Sequence, residues 1–363
     1  MVIAVDKNSY QVAQDDGNRY IYLYDDEELE DLMGTRLHCV QYKEFEYADI
    51  NLTDYNIDCM KRAKVTDDDW KSLPEKKYFK IGIIIPNYNY EHTIEKCLNS
   101  IFNQSYKNFE IIFVDDMSTD NSVEIANKTY ANYLKKELCG FDCVNVLRED
   151  TRFKVVQLKQ KRYNGGARNE AYLHLSEDVD YVYYVDSDDW LYDEYSLEKI
   201  NNKLQSEPDV LFVGIAEYKK GKTIESSTPD YTDKYEAMNG WSGSCGKVIK
   251  KELATRQECL YNEGTLKEDK NQHCKICINM ETFNCLKDMV YVWNKENLKS
   301  VTTQRANILW QTSTIRHYAD TMQLYLTYKG QDPLIDEILE HRLELTKKEV
   351  LDGGDKQWWN FLL

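Results

Sequence analysis

Ile81-Gly82-Ile83-Ile84-Ile85-Pro86-Asn87-Tyr88-Asn89 is the stretch that decides the fold. An unbroken apolar run closed by proline is the signature of a strand buried on both faces of a parallel sheet. The chain beyond Pro86 repeats the theme. Glu91 to Phe102 has helical periodicity through Ile94, Leu98 and Ile101, and Phe109 to Val114 reads as a second strand. Ser118 to Tyr133 is a second helix, Phe153 to Leu158 a third strand, Asn169 to Leu175 a helix, and Tyr181 to Val185 a fourth strand. Strands alternating with crossover helices predict an open α/β sheet, mostly parallel.

Downstream, Leu197 to Leu204 predicts a helix and Val210 to Glu217 a strand, and the polar segment Tyr218 to Tyr235 predicts a hairpin or mobile loop. Helix is expected over Lys250 to Thr255 and Asn271 to Leu286, and a late strand over Val290 to Trp293. Ile308 to Tyr328 and Leu334 to Leu345 read as helices. Before the sheet, residues 1–70 read as a small accessory α+β module: a strand at Ile21 to Tyr24, an acidic helix at Asp25 to Met33, a strand at Leu37 to Tyr42, and a polar connection at Lys64 to Lys71. The expected division is thus 1–70, a main domain over 78–302, and a C-terminal helical extension over 303–363.

Composition narrows the function. The 363 residues carry 46 basic and 63 acidic side chains, a formal charge of −17. Such a field raises the cost of approaching a polyanion and argues against nucleic acid. A bound diphosphate must then be neutralised locally. No apolar run reaches transmembrane length, and the N-terminus lacks a signal-peptide pattern, so the expected compartment is the cytoplasm. Contact with the inner face of a membrane, or with a second protomer, falls to the C-terminal helices and the Trp358-Trp359-Asn360-Phe361-Leu362-Leu363 tail. Ten scattered cysteines do not make a disulfide scaffold. Cys139, Cys143, Cys274 and Cys277 allow a zinc site, with ordinary packing as the competing reading.

Ligands of open parallel sheets bind beyond the C-terminal strand ends. Three such ends are polar here: Pro86-Asn87-Tyr88-Asn89, Asp115-Asp116, and Asp186-Ser187-Asp188-Asp189. A lone strand-terminal aspartate is often a helix cap. Capping does not account for three carboxylates in four residues, which can converge on a hard cation such as Mn²⁺ or Mg²⁺; a structural Ca²⁺ is the competitor. Asn164-Gly165-Gly166-Ala167-Arg168-Asn169 combines a flexible turn, a cation and helix-start amides able to approach a sugar or diphosphate. A Gly-x-Gly-x-x-Gly turn and a phosphate-binding Gly-Lys-Ser/Thr loop are both missing.

In this order and spacing, Ile83 to Asn89, Val114-Asp115-Asp116-Met117-Ser118-Thr119-Asp120, Asn164 to Asn169, Asp186 to Asp189 and Lys267-Glu268-Asp269 resemble an inverting family 2 glycosyltransferase of the GT-A fold. Residues 80–300 carry the resemblance, which extends to bacterial polysaccharide and lipopolysaccharide transferases. It implies a nucleotide-sugar donor, with Pro86 and Tyr88 lining the base pocket and Asp116, or Asp115, holding base or ribose. Asn164, Gly165, Asp186 and Ser187 would border the donor, and Arg168 would face its sugar or phosphate. Asp188, with Asp186, would hold Mn²⁺ or Mg²⁺. Asp269, beside Glu268, would be the general base. His273, four residues later, would reach the metal or a phosphate unless it is solvent-exposed. Trp241 and Asp189 would lie on the acceptor side, Trp241 as a sugar platform or else a core or lid residue. Lys295, Lys299 and Arg305 would offer diphosphate contacts. Where the family often has glycine after the paired aspartates this chain has Met117, so that turn is expected to differ slightly.

The implied reaction is transfer from a nucleotide-diphosphate sugar, with UDP favoured, to a glycan, lipid-linked or protein hydroxyl. Two other readings share the sheet: a nucleotidyltransferase-like enzyme, and a non-catalytic sugar-binding or assembly protein.

Overall fold

The computed structural model describes residues 36–40, 47–51, 77–137, 152–297 and 308–353. The readings at Ile21 to Tyr24, Asp25 to Met33, Lys64 to Lys71, Cys139, Cys143, Lys299, Arg305 and the terminal tail lie outside the described residues. Two strands, β1 (Arg36–Val40) and β2 (Tyr47–Asn51), form an antiparallel pair of their own.

The main sheet begins with β3 (Ile81–Asn87), α1 (Ile94–Phe102), β4 (Phe109–Asp115), α2 (Ser122–Glu137), β5 (Phe153–Gln157), α3 (Tyr163–Tyr172) and β6 (Tyr181–Tyr184). It continues with β7 (Trp190–Leu191), α4 (Ser196–Lys203), β8 (Val210–Lys219), β9 (Lys222–Ser227), α5 (Lys234–Asn239), β10 (Lys247–Lys250) and α6 (Lys251–Ala254). Then come α7 (Glu268–Asn279), β11 (Phe283–Asn294), α8 (Ile308–Tyr328) and α9 (Pro333–Gly353). Spatial order is β5-β4-β3-β6-β10-β8-β11-β7, with β9 pairing β8.

Strand β3 is buried along its whole length. Its side chains alternate between two cores: Ile81, Ile83 and Ile85 meet α1 residues Cys97 and Leu98, while Ile84 packs with Ile112, Val182 and Tyr184. Each fully buried isoleucine contributes roughly 1.5–3 kcal/mol, so this strand anchors both layers.

The sheet is more mixed than the repeat pattern predicts. Strands β5, β4, β3 and β6 are parallel, but β10 is antiparallel to both β6 and β8. One boundary also moves. The helix expected over Asn271 to Leu286 stops at Asn279, and Leu286 belongs to β11, parallel to β8. Register shifts between Leu286 and Tyr291 break the two-residue alternation that would have announced a strand. The Tyr218 to Tyr235 segment is the β8–β9 hairpin running into α5.

The flexible turn expected at Asn164 to Asn169 is helical instead, because α3 starts at Tyr163. A Cβ on Gly165 would stand 2.6 Å from the Asn262 carbonyl oxygen, so this glycine lets the helix press against the chain before α7.

Met117 takes φ +65°, the conformation that glycine would adopt after the paired aspartates. That conformation carries a steric cost of about 1–2 kcal/mol for an L-residue. Met117→Gly should therefore raise unfolding free energy by about 0.5–1 kcal/mol, the relief being partly offset by the entropy of an unfolded glycine. A urea midpoint equal to or below that of the parent chain would show that the turn is unstrained.

Candidate functional site

The C-terminal ends of β3, β4 and β6 bring the polar clusters to one edge of the sheet. Asn87 donates from Nδ2 to Asp115 Oδ1 at 2.9 Å and Ser118 Oγ at 3.1 Å, tying the first strand end to the second. Asp115 also accepts the Ser118 amide at 3.1 Å. Asp116 accepts the amides of Arg162 (2.8 Å) and Tyr163 (2.7 Å), with Lys161 Nζ 3.2 Å away. Both aspartates are buried and committed to the turn and to the start of α3, so neither presents a free carboxylate to a base or ribose. Tyr88, in contrast, is 42% exposed, and the Lys161 ammonium lies over its ring. Pro86 is buried and its carbonyl accepts Ser187 Oγ at 2.7 Å. Ser187 is thus a buried strand-to-strand tie rather than a donor contact.

Arg168 lies at the centre. Only 1% of its side chain is exposed, and its guanidinium reaches Asp186 (2.7 Å), Glu268 (2.8 Å) and Asp269 (3.1 Å). The cation expected to face the donor is instead consumed by three carboxylates, one from the end of β6 and two from α7. Asn164 and Gly165 precede it on the same helix, Asn164 half-buried and Gly165 packed.

Burial dominates the electrostatics. Asp188 is pushed up to about 6 by desolvation and by the charge of Asp186, although Asn297 Nδ2 donates to it at 2.7 Å. Asp186 is raised by burial and by Asp269, against the pull of Arg168. Glu268 rises to about 8, first from burial and then from Asp269. Asp269 keeps 37% of its side chain exposed, while Oδ1 accepts from Arg168 and from Ser244 Oγ. Ser244 also bonds Tyr261 Oη at 2.7 Å.

Asp189, His273 and Lys295 depart from expectation. Asp189 is 4% exposed and accepts Tyr291 Oη (2.6 Å) and the Asn294 amide (2.8 Å), so it pins β11 to the end of β6 and does not face an acceptor. His273 is fully buried, neither solvent-exposed nor available as a metal ligand. Its Nε2 lies 3.0 and 3.2 Å from the Ala237 and Met238 carbonyls, which only a protonated nitrogen can satisfy. Trp241 packs edge-on against Trp293 at 5.1 Å beside the core, the alternative to a sugar platform, and Lys295 caps Trp293 and pairs with Glu217, so Lys295 is not free for a diphosphate.

Among the described residues, no group of three or more His, Cys, Asp and Glu is arranged to hold a metal ion. Cys274 and Cys277 are buried free thiols on α7. The donor set at Asp186 and Asp188 still suits a hard cation, since Mg²⁺ is commonly held by one or two carboxylates, waters and substrate phosphates. Two carboxylates raised by burial and by neighbouring negative charge are what such an ion would relieve.

Sequence reasoning missed Tyr291, Asn294, Asn297, Ser244 and Lys161. A signal existed for Asn294: β11 runs parallel to β8, so this polar residue closes another strand on the functional edge.

No helix of the described residues is long and apolar enough to cross a membrane. The description "Glycosyl transferase family 2" matches residues 82–256. Glycosyltransferase GlyA of Streptococcus pneumoniae is 37% identical over 117 residues, which are 32% of this chain and 14% of that protein. The poly(ribitol-phosphate) beta-glucosyltransferase of Bacillus spizizenii is 33% identical over 137 residues, 36% of this chain and 18% of that one. The chain therefore spans only a small part of the length of these relatives. Residues 1–349 of Staphylococcus aureus TarS in complex with UDP-GlcNAc superpose with a TM-score of 0.58 at 21% identity, over 72% of this chain and 70% of that one. That likeness is one of fold, the GT-A arrangement with its curled mixed sheet. Residues 82–256, which hold the three polar strand ends and Arg168, are thus similar to glycosyl transferase family 2.

Proposed function

We propose that this chain is a metal-dependent inverting glycosyltransferase, moving a sugar from a uridine diphosphate donor to a hydroxyl of a glycan, lipid-linked or protein acceptor. One observation carries the reading: Arg168 joins Asp186, at the end of β6, to Asp269, whose carboxylate keeps a solvent-facing portion. A donor-side carboxylate and a base are thereby held at one locus. The UDP-GlcNAc complex of the staphylococcal relative supports a uridine donor, and the poly(ribitol-phosphate) relative supports a surface-polymer acceptor.

With Oδ1 held by Arg168 and Ser244, Asp269 presents Oδ2 to the acceptor hydroxyl. It takes the proton as the hydroxyl oxygen bonds to the anomeric carbon and the sugar–phosphate bond breaks, its electron pair leaving with the nucleotide diphosphate. Asp188 and Asp186 would hold Mn²⁺ or Mg²⁺, which supplies positive charge to the leaving diphosphate. Tyr88 offers an exposed ring for the base, and Glu268 accepts a hydrogen bond from the buried side of Arg168.

Asp269→Asn should abolish sugar transfer while donor affinity, read by calorimetry, stays within about threefold; normal turnover in this variant would remove Asp269 as the base. Because Asp188 is pushed up to about 6, it is neutral below that pH and a ligand above it. Mn²⁺ affinity should thus fall about tenfold per pH unit below 6 and level off near neutrality. A pH-independent titration between about 5 and 7.5 would exclude Asp188 as ligand. Arg168→Met leaves three carboxylates without their cation and should cost about 3–5 kcal/mol at neutral pH. Denaturation curves that coincide with the parent would refute this central role.

A further inference from the structure

The packing of α7, α8 and α9 holds a group that the proposed reaction does not use. His317, on α8, is 1% exposed, and neither of its ring nitrogens has a hydrogen-bond partner. An imidazole always carries one N–H or more, and leaving a buried donor unmade costs about 1–3 kcal/mol. Around it the helices are otherwise well tied. Leu266 donates its amide to Ser313 Oγ at 3.2 Å, and Thr321 Oγ1 donates to Asn271 at 3.1 Å.

The charges that bear most on this imidazole are Lys267, Lys270 and Arg342, opposed by Glu349. Those four sum to +2 in a chain whose total is −17, and Asp320, one turn along α8, is paired with Arg316 at 3.5 Å. Glu349 is shared between Lys267 (2.8 Å) and Lys270 (3.6 Å). Arg342 spends one terminal nitrogen on the Met238 carbonyl, and its Nε has no partner. Lys270 is 47% exposed, which leaves the cluster open at its rim. Water would satisfy the imidazole, but water does not call for three surrounding cations.

We propose that the junction of α7, α8 and α9 is a binding site for a phosphate-class oxyanion, held by Lys267, Lys270 and Arg342 with His317 donating at its base. The tetrahedral anion would take the Arg342 Nε–H and the imidazole N–H, and Lys270 would turn from Glu349 to it. Lys267 and Lys270 flank Glu268 and Asp269 at the start of α7, whereas His317 and Arg342 belong to α8 and α9, and the site does not depend on the proposed reaction.

The test is calorimetric titration of the full chain with inorganic phosphate, against chloride at matched ionic strength. Saturable binding is expected, weakened about tenfold or more by Arg342→Gln and by Lys270→Gln and unchanged by Asp188→Asn. Lys270 is exposed enough that its variant should fold normally, which an unaltered urea midpoint checks. The ¹⁵N resonances of the His317 ring should move with phosphate occupancy. Competition by dimethyl phosphate assigns a phosphodiester as the natural ligand, and competition by glycerol phosphate alone assigns a monoester; both uphold the site. No saturable binding, or binding lost in Asp188→Asn but kept in both helix variants, overturns it.

Discussion

A single guanidinium sets the terms for the functional edge. Arg168 is buried on α3 and compensates Asp186, close by in sequence, together with Glu268 and Asp269, about one hundred residues further along the chain. Without a cation there, low-dielectric surroundings would force these acids to protonate or separate. With it, β6 and α7 are locked at a spacing fixed by the reach of one arginine fork. Asp188 and Asp189 inherit their positions from that lock, one turned toward Asn297 and the other fastened to Tyr291.

The architecture was legible wherever local pattern and tertiary environment agree. The run Ile81 to Ile85 is apolar because both faces are covered, and its neighbours β4 and β6 carry the same message. The reading failed where they disagree. β11 is a strand interrupted by register shifts, so its apolar residues lose their two-residue beat and pass for helix. The two glycines after Asn164 suggested a flexible turn, yet they serve close packing inside α3. Composition alone cannot tell a glycine chosen for torsion from one chosen for its missing Cβ.

At the functional edge, residue types were legible and their allegiances were not. Asp116, Ser187, Asp189 and His273 all lie in or beside the expected motifs, yet each spends its hydrogen bonds on the protein itself. Such commitments are set by partners distant in sequence: Ser187 with Pro86, Asp189 with Tyr291, His273 with the end of α5. A carboxylate's motif says which chemistry it can do. Only its neighbours say whether that capacity is already used.

Strand β10 has a consequence of its own. Because it runs against β6 and β8, its beginning lies where its neighbours end. Tyr88, Asp116 and Asp186 follow their strands, whereas Ser244, which donates to Asp269, precedes its own. The groups gathered at this edge are consequently written on separate lengths of chain, one in the loops leaving β3, β4 and β6, the other in the passage from β9 through α5 to β10. A change in the second passage alters what stands beside Asp269 without touching the strand ends that hold Tyr88 and Asp188. Reversing one short strand makes the two halves of the edge separately replaceable.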